Sequence, residues 1–309
     1  MRGAFISALA DAALEDERIV LLTGDLGFMV VEKFARAHTD RFVNVGVAEA
    51  NMVGIATGLA RRGFVPFCYS IATFATMRAY EQIRNGPVLH RLPVRIVGTG
   101  GGFAYGTAGA THHAVEDIGI MRMLAGCSVI CPAGDDQAVS ALRAVEDWPG
   151  AVYVRLAKDS IRIDELSPKL RIGRVETVFD GAHLLLLTTG AMTRDVIAAA
   201  KRLGGEEGIR PTVAVVQCLS PAPVEDLCSL LERFPAAITV EDHNVTGGLG
   251  SLVAETAADH GLRTRIKRIG ITGDLAARAG SEAYLRRQFS LDVDGIVNAA
   301  RSSLLTAAG

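Results

Sequence analysis

The chain has 309 residues, and its 32 Lys and Arg residues nearly balance its 34 Asp and Glu residues, giving a formal net charge of −2 and a pI of about 6.4. This balance gives no electrostatic reason to expect a nucleic acid or an anionic membrane as a partner. Hydrophobic residues make up 49% of the chain, and the mean hydropathy is +0.27. Compact cores can therefore be built, and the length favours two domains.

The N-terminal segment predicts a helix rather than a signal peptide, because Asp11 and Glu15 interrupt its apolar run. No apolar run approaches the length that spans a bilayer. The five scattered cysteines form neither a disulfide framework nor a zinc pattern, and Cys127 and Cys131 fall in a predicted buried strand. We therefore expect a globular, cytoplasmic protein with free thiols.

Apolar strands alternate with helices through residue 157, which predicts a mostly parallel sheet covered on both faces. In chain order we predict helix 2–15, strand 19–23, helix 30–38, strand 42–45, helix 48–61, strand 64–69, helix 72–84, strand 94–99, helix 115–124, strand 127–131, helix 135–146 and strand 151–156.

The pattern dissolves into charged residues around Pro168, so residues 158–180 are predicted to be a linker with one or two short strands. A second, smaller α/β domain is predicted over 181–309, with strand 183–189, helix 193–203, strand 212–217, helix 223–233, strand 237–241, helix 249–260 and strand 264–269. The predicted fold is thus two doubly wound α/β domains, 1–157 and 181–309, with mostly parallel sheets.

One acidic residue stands out at the start of a predicted helix. Glu49 follows a short apolar strand and the turn at Gly46, and its flanks are apolar. A carboxylate at a helix N-terminus has an ordinary explanation in the helix dipole. Apolar flanks, however, disfavour the charged form unless a partner is supplied. We therefore regard Glu49 as a candidate proton donor and acceptor.

A glycine-rich loop, GTGGGFAYGTAGATHHAVE at 98–116, follows another predicted strand. It lacks the spacing of a phosphate-binding or dinucleotide-binding loop. His112 and His113 at its end are a weak metal signal, since neighbouring residues point in different directions and no other ligand completes a site. We expect no metal site in this chain, and we expect one of the two histidines to be catalytic or substrate-binding.

Five segments together resemble the C-terminal half of transketolase over nearly the whole chain: GVAEAN at 46–51, TFATMRAYEQIR at 73–84, GATHHAVED at 109–117, CPAGD at 131–135 and EDHNVTGGLG at 241–250. The resemblance implies a pyrimidine-binding domain, a largely structural C-terminal domain, and dependence on thiamine diphosphate. Full-length members also carry an upstream diphosphate-binding domain with a GDG motif, which Gly24, Asp25 and Leu26 do not supply. The resemblance therefore implies one subunit of a split transketolase, whose N-terminal partner subunit holds the diphosphate and Mg²⁺ in an α2β2 heterotetramer.

The resemblance also assigns roles to residues. Glu49 would hydrogen-bond the pyrimidine ring of thiamine diphosphate, and Phe74 would stack on that ring. A second aromatic residue of the family is replaced by Ile71; Tyr69 could substitute for it, or could equally be a core residue. His112 would contact the donor substrate and stabilise developing oxyanion character. His113 replaces a residue that is usually Gln and receives no role.

Substrate recognition is where the chain departs from the family. Arg2 and Arg155 fall at positions of phosphate-binding arginines, although each could be an ordinary surface or strand-end arginine. A phosphate-binding His is replaced by Gly100, a Ser by Met29, and a hydroxyl-binding Asp by Ala108. These replacements favour an unusual ketose-type donor or aldehyde acceptor, because losing single polar contacts changes substrate preference strongly.

Two alternatives stay open. One is the beta subunit of a 2-oxoacid or acetoin dehydrogenase, which shares the cofactor and the domain layout; the THH segment and RAYEQIR after Phe74 favour transketolase over it. The other is a catalytically silent assembly subunit, which would have been indicated by loss of Glu49 or His112.

Overall fold

The computed structural model describes residues 1–273 and 279–305, which form two α/β units. The strands are β1 Ile19–Thr23, β2 Phe42–Asn44, β3 Val65–Ile71, β4 Arg95–Thr99, β5 Cys127–Ile130, β6 Ala151–Leu156, β7 Val175–Phe179, β8 Leu185–Thr188, β9 Thr212–Val216, β10 Cys218–Ser220, β11 Ala236–Asn244 and β12 Arg265–Ile271.

Eleven α-helices connect or flank these strands within the described residues. They are α1 Arg2–Glu15, α2 Glu32–Ala37, α3 Glu49–Arg61, α4 Tyr80–Ile83, α5 Asp117–Arg122, α6 Asp135–Val145, α7 Thr193–Glu207, α8 Val224–Glu232, α9 Leu249–Asp259, α10 Glu282–Gln288 and α11 Val293–Leu305. None of these helices is both long enough and apolar enough to cross a bilayer.

The first sheet has seven strands in the order β10-β5-β6-β4-β3-β1-β2. Strands β1 to β6 pair in parallel, whereas β10 pairs antiparallel with β5. The second sheet has the order β12-β11-β8-β9-β7, and only β7 runs antiparallel to its neighbour. The prediction of two α/β units with mostly parallel sheets is confirmed.

The central strands are buried along their whole length, as expected for parallel strands with helices on both faces. Helix α3 packs Met52, Val53, Ala56 and Ala60 against one face of the first sheet, which places its N-terminus beside the carboxyl ends of β1 and β3. Helices α1 and α6 cover the other face. In such sheets, ligand sites lie at the carboxyl ends of the strands.

Three features differ from the sequence prediction. The helix predicted over 72–84 is broken into a π-helical turn at Phe74–Arg78 and the short α4, with a second π-helical turn, Arg84–Val88, that contains Pro87. Strand β10 lies in the C-terminal half of the sequence yet completes the first sheet. Helices α10 and α11 follow the last predicted strand and were not predicted.

Candidate active site

Glu49 is the first residue of α3 and is only 2% exposed. The chain reaches it through Gly46, whose φ of +74° suits glycine and turns the backbone between β2 and α3. The carboxylate thus lies at the positive end of the helix, in a setting that excludes water. The side chain is thus largely removed from solvent, although Val47 and Ile55, two of the apolar residues near it in sequence, are 70% and 36% exposed.

The polar partners of the Glu49 carboxylate come from β3 and from the π-helical turn after it. Ser70 Oγ donates a hydrogen bond of 3.3 Å to Glu49 Oε1. Arg78 Nη1 lies 3.1 Å from Oε2 and 3.3 Å from Oε1, forming an ion pair. Arg78 therefore supplies the partner that a buried carboxylate requires.

The Phe74 ring contacts the Arg78 side chain that pairs with this carboxylate. The Arg78 guanidinium carbon lies 3.8 Å from the centroid of the Phe74 ring, a cation–π contact. His112 approaches the same ring edge-on, with a centroid distance of 5.0 Å and an interplanar angle of 68°. Three of the predicted site residues, Glu49, Phe74 and His112, are thus brought together by three separate segments of the chain.

Tyr69 and Ile71 have different surroundings. Successive strand side chains point to opposite faces, so Tyr69 points away from the face that Ser70 shares with Glu49. Tyr69 is completely buried in the apolar cluster that contains Phe67, and burial raises the pKa of its phenol to about 12. Its ring does not line the site as an aromatic substitute would. Ile71, the last residue of β3, is partly exposed.

Arg155, predicted as a phosphate contact, is buried and bonded to residues of its own chain. It is 4% exposed, and its Nε lies 2.8 Å from Asp117 Oδ2, while Nη1 lies 2.5 Å from Asp242 Oδ1. Its Nη2 also donates to the main-chain carbonyls of Ala114 and Asp242. Four of the five N–H donors of the guanidinium are therefore used within the chain. These contacts favour a structural role for Arg155, because two buried carboxylates already hold it, and its contact with a substrate phosphate stays a prediction.

Arg2 begins α1 and is partly buried, and its charge lies close enough to Tyr69 and Tyr105 to act on both phenols. Tyr105 is partly exposed, with the Lys158 Nζ 5.0 Å from its ring centroid and the His112 ring 6.5 Å away. Arg2 thus lies near an aromatic and cationic region next to His112, although no hydrogen bond ties it to the three residues gathered around Glu49.

The three family positions that carry other residues here also have defined surroundings. Gly100 has a φ of +75°, and a Cβ atom at this position would overlap the Tyr105 ring. The ring therefore takes the space that a side chain at residue 100 would need. Met29 has a φ of +61° and is 82% exposed, and Ala108 ends an exposed 3-10 turn.

His113 is buried, with its ring edge-on to Phe103 at 5.1 Å, and burial lowers its pKa. Its lack of a predicted role agrees with this packed position. Within residues 1–273 and 279–305, no group of three or more His, Cys, Asp or Glu side chains is arranged to hold a metal ion.

The segment after β11 is built around a helix N-terminus. The Glu241 carboxylate accepts hydrogen bonds of 2.7 Å from the main-chain N–H groups of Leu249 and Gly250, at the start of α9. Burial raises the pKa of Glu241 to about 7 in spite of these donors. His243 accepts a hydrogen bond from the Gly119 N–H through Nε2. The positive end of α9 is therefore already occupied by a side chain of the same unit.

Sequence reasoning missed Arg78, Ser70, Tyr105, Asp117 and Asp242 as contributors to the site. One local signal existed for Arg78, because it lies four residues after Phe74 and so on the same side of a helical turn. A π-helical turn inside an α-helix is also frequent at functional sites. The contacts of Asp117 and Asp242 join distant parts of the sequence and have no local signal.

Comparisons with known proteins agree with this architecture. Residues 1–163 match the family described as "Transketolase, pyrimidine binding domain", and residues 173–296 match "Transketolase, C-terminal domain". The chain is 35% identical to a "Putative transketolase C-terminal section" of Methanocaldococcus jannaschii, over 96% of this chain and 93% of that protein. It is 33% identical to a "6-deoxy-6-sulfo-D-fructose transketolase subunit" of Clostridium sp. (strain MSTE9), over 97% of this chain and 93% of that one.

A solved structure described as "Split gene transketolase, inactive beta4 tetramer" superimposes with a TM-score of 0.89 at 32% identity, covering 98% of both chains. The two family matches together account for almost all of the chain, and relatives of similar length align from end to end. The chain therefore belongs to the transketolase family, and it contains the pyrimidine-binding domain followed by the C-terminal domain.

Proposed function

We propose that this chain is one subunit of a thiamine-diphosphate-dependent transketolase, which transfers a two-carbon ketol unit from a ketose-type donor to an aldehyde acceptor. The observation that supports it most directly is the convergence of a buried carboxylate, Glu49, with the Phe74 and His112 rings. A partner subunit with the diphosphate-binding domain is needed for activity, and the cytoplasm, as a reducing compartment, suits the five free cysteines.

The residues present fit the pyrimidine part of thiamine diphosphate. The Arg78 guanidinium already lies on the Phe74 ring and donates to Glu49. It is a flat, positively charged group with N–H donors. The Phe74 face and the Glu49 oxygens can therefore accommodate a planar heteroaromatic ring with N–H donors at its edge.

The cofactor would supply the nucleophilic carbon that takes up the ketol unit. Glu49 would hold a proton against the pyrimidine ring nitrogen, where a water-excluding environment strengthens the hydrogen bond. Phe74 would orient the ring by stacking. His112, whose ring edge meets Phe74, would donate a hydrogen bond to the oxygen of the donor substrate on which negative charge develops.

The diphosphate and Mg²⁺ are assigned to the partner subunit. Support comes from the solved relative, which is described as a split-gene transketolase in the form of an inactive beta4 tetramer, in agreement with a subunit that cannot act alone. An α2β2 assembly, with each cofactor between a pyrimidine-binding and a diphosphate-binding domain of different chains, is the simplest closed arrangement.

The donor and acceptor are proposed to differ from the common sugar phosphates. Position 100 cannot accept a histidine while Tyr105 keeps its place, and Arg155 is held by Asp117 and Asp242. A relative of similar length is named for a sulfonated sugar, which supports a substrate other than the common sugar phosphates.

The test is Glu49→Gln in the reconstituted complex of both subunits with thiamine diphosphate and Mg²⁺. We expect ketol transfer, measured with a panel of ketose donors and aldehyde acceptors, to fall by about two to four orders of magnitude, because the amide cannot exchange the proton. The assembly, measured by light scattering after chromatography, should be retained. The matched control is Glu81→Gln, an exposed residue of α4, which should leave the rate unchanged.

Ketol transfer that survives in Glu49→Gln would contradict the role of Glu49. A wild-type complex that binds thiamine diphosphate but transfers acyl groups to lipoamide instead would establish the dehydrogenase alternative. A complex that assembles without binding the cofactor would establish the silent assembly subunit.

A further inference from the structure

The side chain of Arg78 lies where the proposed function requires the cofactor ring. Its guanidinium carbon is 3.8 Å from the centroid of the Phe74 ring, and Nη1 is 3.1 Å from Glu49 Oε2. Glu49 is 2% exposed, whereas the Arg78 side chain is 47% exposed. Glu49 is therefore fixed in the protein interior, whereas the Arg78 side chain reaches it from the surface.

We propose that Arg78 occupies the pyrimidine subsite in the cofactor-free subunit, and that binding of the cofactor displaces it. This inference rests on the proposed function. A guanidinium and an aminopyrimidine are both planar groups that can stack on an aromatic ring while donating N–H groups to a carboxylate. The subsite formed by Glu49, Ser70 and Phe74 accepts groups of this chemical class, and Arg78 is the one that the chain itself supplies.

The two occupants exclude each other. At 3.8 Å the guanidinium is in van der Waals contact with that face of Phe74, so a second planar group cannot lie on it. Glu49 Oε2 accepts the 3.1 Å hydrogen bond from Arg78, and a bound pyrimidine ring would need the same carboxylate as its hydrogen-bond acceptor. Cofactor binding at Phe74 and Glu49 therefore requires Arg78 to leave both residues.

The geometry allows Arg78 to leave when another group takes its place on Glu49. Within the described residues, its hydrogen bonds go to Glu49 alone, and the contact with Phe74 is the other interaction of the guanidinium. An exposed cation–π contact is individually weak, and the loss of the ion pair is offset by the hydrogen bond that the cofactor makes to the same carboxylate. A long, flexible side chain on the surface can turn into solvent without moving the backbone of the π-helical turn.

Arg78 also explains why the buried carboxylate of Glu49 does not destabilise the isolated subunit. A buried carboxylate without a partner strongly destabilises a folded protein. Arg78 supplies a partner before the cofactor arrives, and the cofactor replaces that partner. The apparent affinity for the cofactor is then reduced by the fraction of subunits in which Arg78 is in place.

The experiment compares Arg78→Met with wild type in the reconstituted complex, by calorimetric titration of thiamine diphosphate in the presence of Mg²⁺. We expect the dissociation constant to fall roughly tenfold, equivalent to about 1.4 kcal/mol, because the competing occupant is gone. The matched control is Arg84→Met, an exposed arginine whose hydrogen bond goes to Asn85, which should leave the constant unchanged.

A second measurement uses this subunit alone and needs no cofactor. Chemical unfolding of Arg78→Met, Glu49→Gln and the double variant forms a double-mutant cycle. The two substitutions should be non-additive, because each removes the same ion pair. An additive cycle would mean that Arg78 and Glu49 do not interact in the free subunit, which overturns the inference.

Failure of the inference can be told apart from failure of the proposed function. If the wild-type complex binds thiamine diphosphate and Arg78→Met binds it equally or more weakly, Arg78 does not compete with the cofactor and the inference is wrong. If the wild-type complex does not bind thiamine diphosphate at all, the proposed function fails, whatever the unfolding cycle shows.

Discussion

Replacing Arg155 by Met tests the reassignment of this residue from substrate to structure. The substitution removes a guanidinium that is 4% exposed and leaves the buried Asp117 and Asp242 without the cation they share, with Arg286 Nη2 still 3.8 Å from Asp242 Oδ2. Removing one partner of a buried ion pair typically destabilises a protein by about 3–5 kcal/mol, because the remaining charge is uncompensated. For a domain of this size that corresponds to a fall in melting temperature of roughly 6–20 °C.

The assay is thermal unfolding of this subunit followed by circular dichroism, with Arg174→Met as the control. Arg174 forms an ion pair with Asp226 on the surface, its side chain is 66% exposed, and its loss should change the melting temperature little. Kinetics of the reconstituted complex provide the refuting result. If Arg155→Met keeps its melting temperature but raises KM for phosphorylated donors alone, Arg155 is a phosphate clamp and the structural reasoning is wrong.

Two further substitutions probe glycine geometry and a buried acid. Gly100→Ala should destabilise the subunit by about 1–3 kcal/mol, because φ is +75° at this residue and the new Cβ overlaps the Tyr105 ring. Adding Tyr105→Ala should relieve the overlap but not the backbone strain. Thermal unfolding of the single and double variants measures both contributions. Burial raises the pKa of Glu241 from 4.5 to about 7, so between these values the folded state keeps a proton that the unfolded state loses. The free energy of unfolding should therefore fall by ~3 kcal/mol from about pH 4.5 to pH 7 through this group, and Glu241→Gln should remove that part of the slope in denaturant titrations; an unchanged slope would contradict the burial argument.

The sequence predicted those parts of the site that depend on local pattern. The position of Glu49 follows from an apolar strand, a turn and a helix of small residues that are consecutive in the chain, and the structure places this residue at the start of α3. Phe74 and His112 came from family resemblance rather than from periodicity. The structure brings their rings within 5.0 Å of each other, although 38 positions separate them in sequence.

Features that depend on distant contacts could not be predicted from the sequence. Arg155 ends a buried strand, and nothing nearby indicates that Asp242, 87 residues later, neutralises it. Strand β10 is only three residues long, and it joins the first sheet because its neighbour β5 leaves an open edge, not because of its own pattern. The π-helical turn at Phe74–Arg78 reads as ordinary helix in sequence, since its apolar and polar residues have helical spacing.

The glycine-rich loop has a physical explanation that differs from phosphate binding. A Cβ atom at Gly101 would overlap the Arg155 guanidinium, and one at Gly102, where φ is +63°, would lie 2.5 Å from Asp242 Oδ2. The two glycines therefore allow the backbone to pack in contact with the buried ion cluster of Arg155, Asp117 and Asp242. Gly102 also exchanges main-chain hydrogen bonds with Ala114, whose carbonyl accepts from Arg155.

His112 lies two residues before Ala114, so its backbone is anchored by the same cluster that joins the two α/β units. Asp242, at the end of β11 in the second sheet, holds Arg155 of the first sheet, and Arg155 holds the Ala114 carbonyl. The C-terminal unit therefore acts on the site through Asp242, which fixes the loop that carries His112. A buried, hydrogen-bonded ion network gives the loop one position, and with it the edge of the His112 ring that meets Phe74.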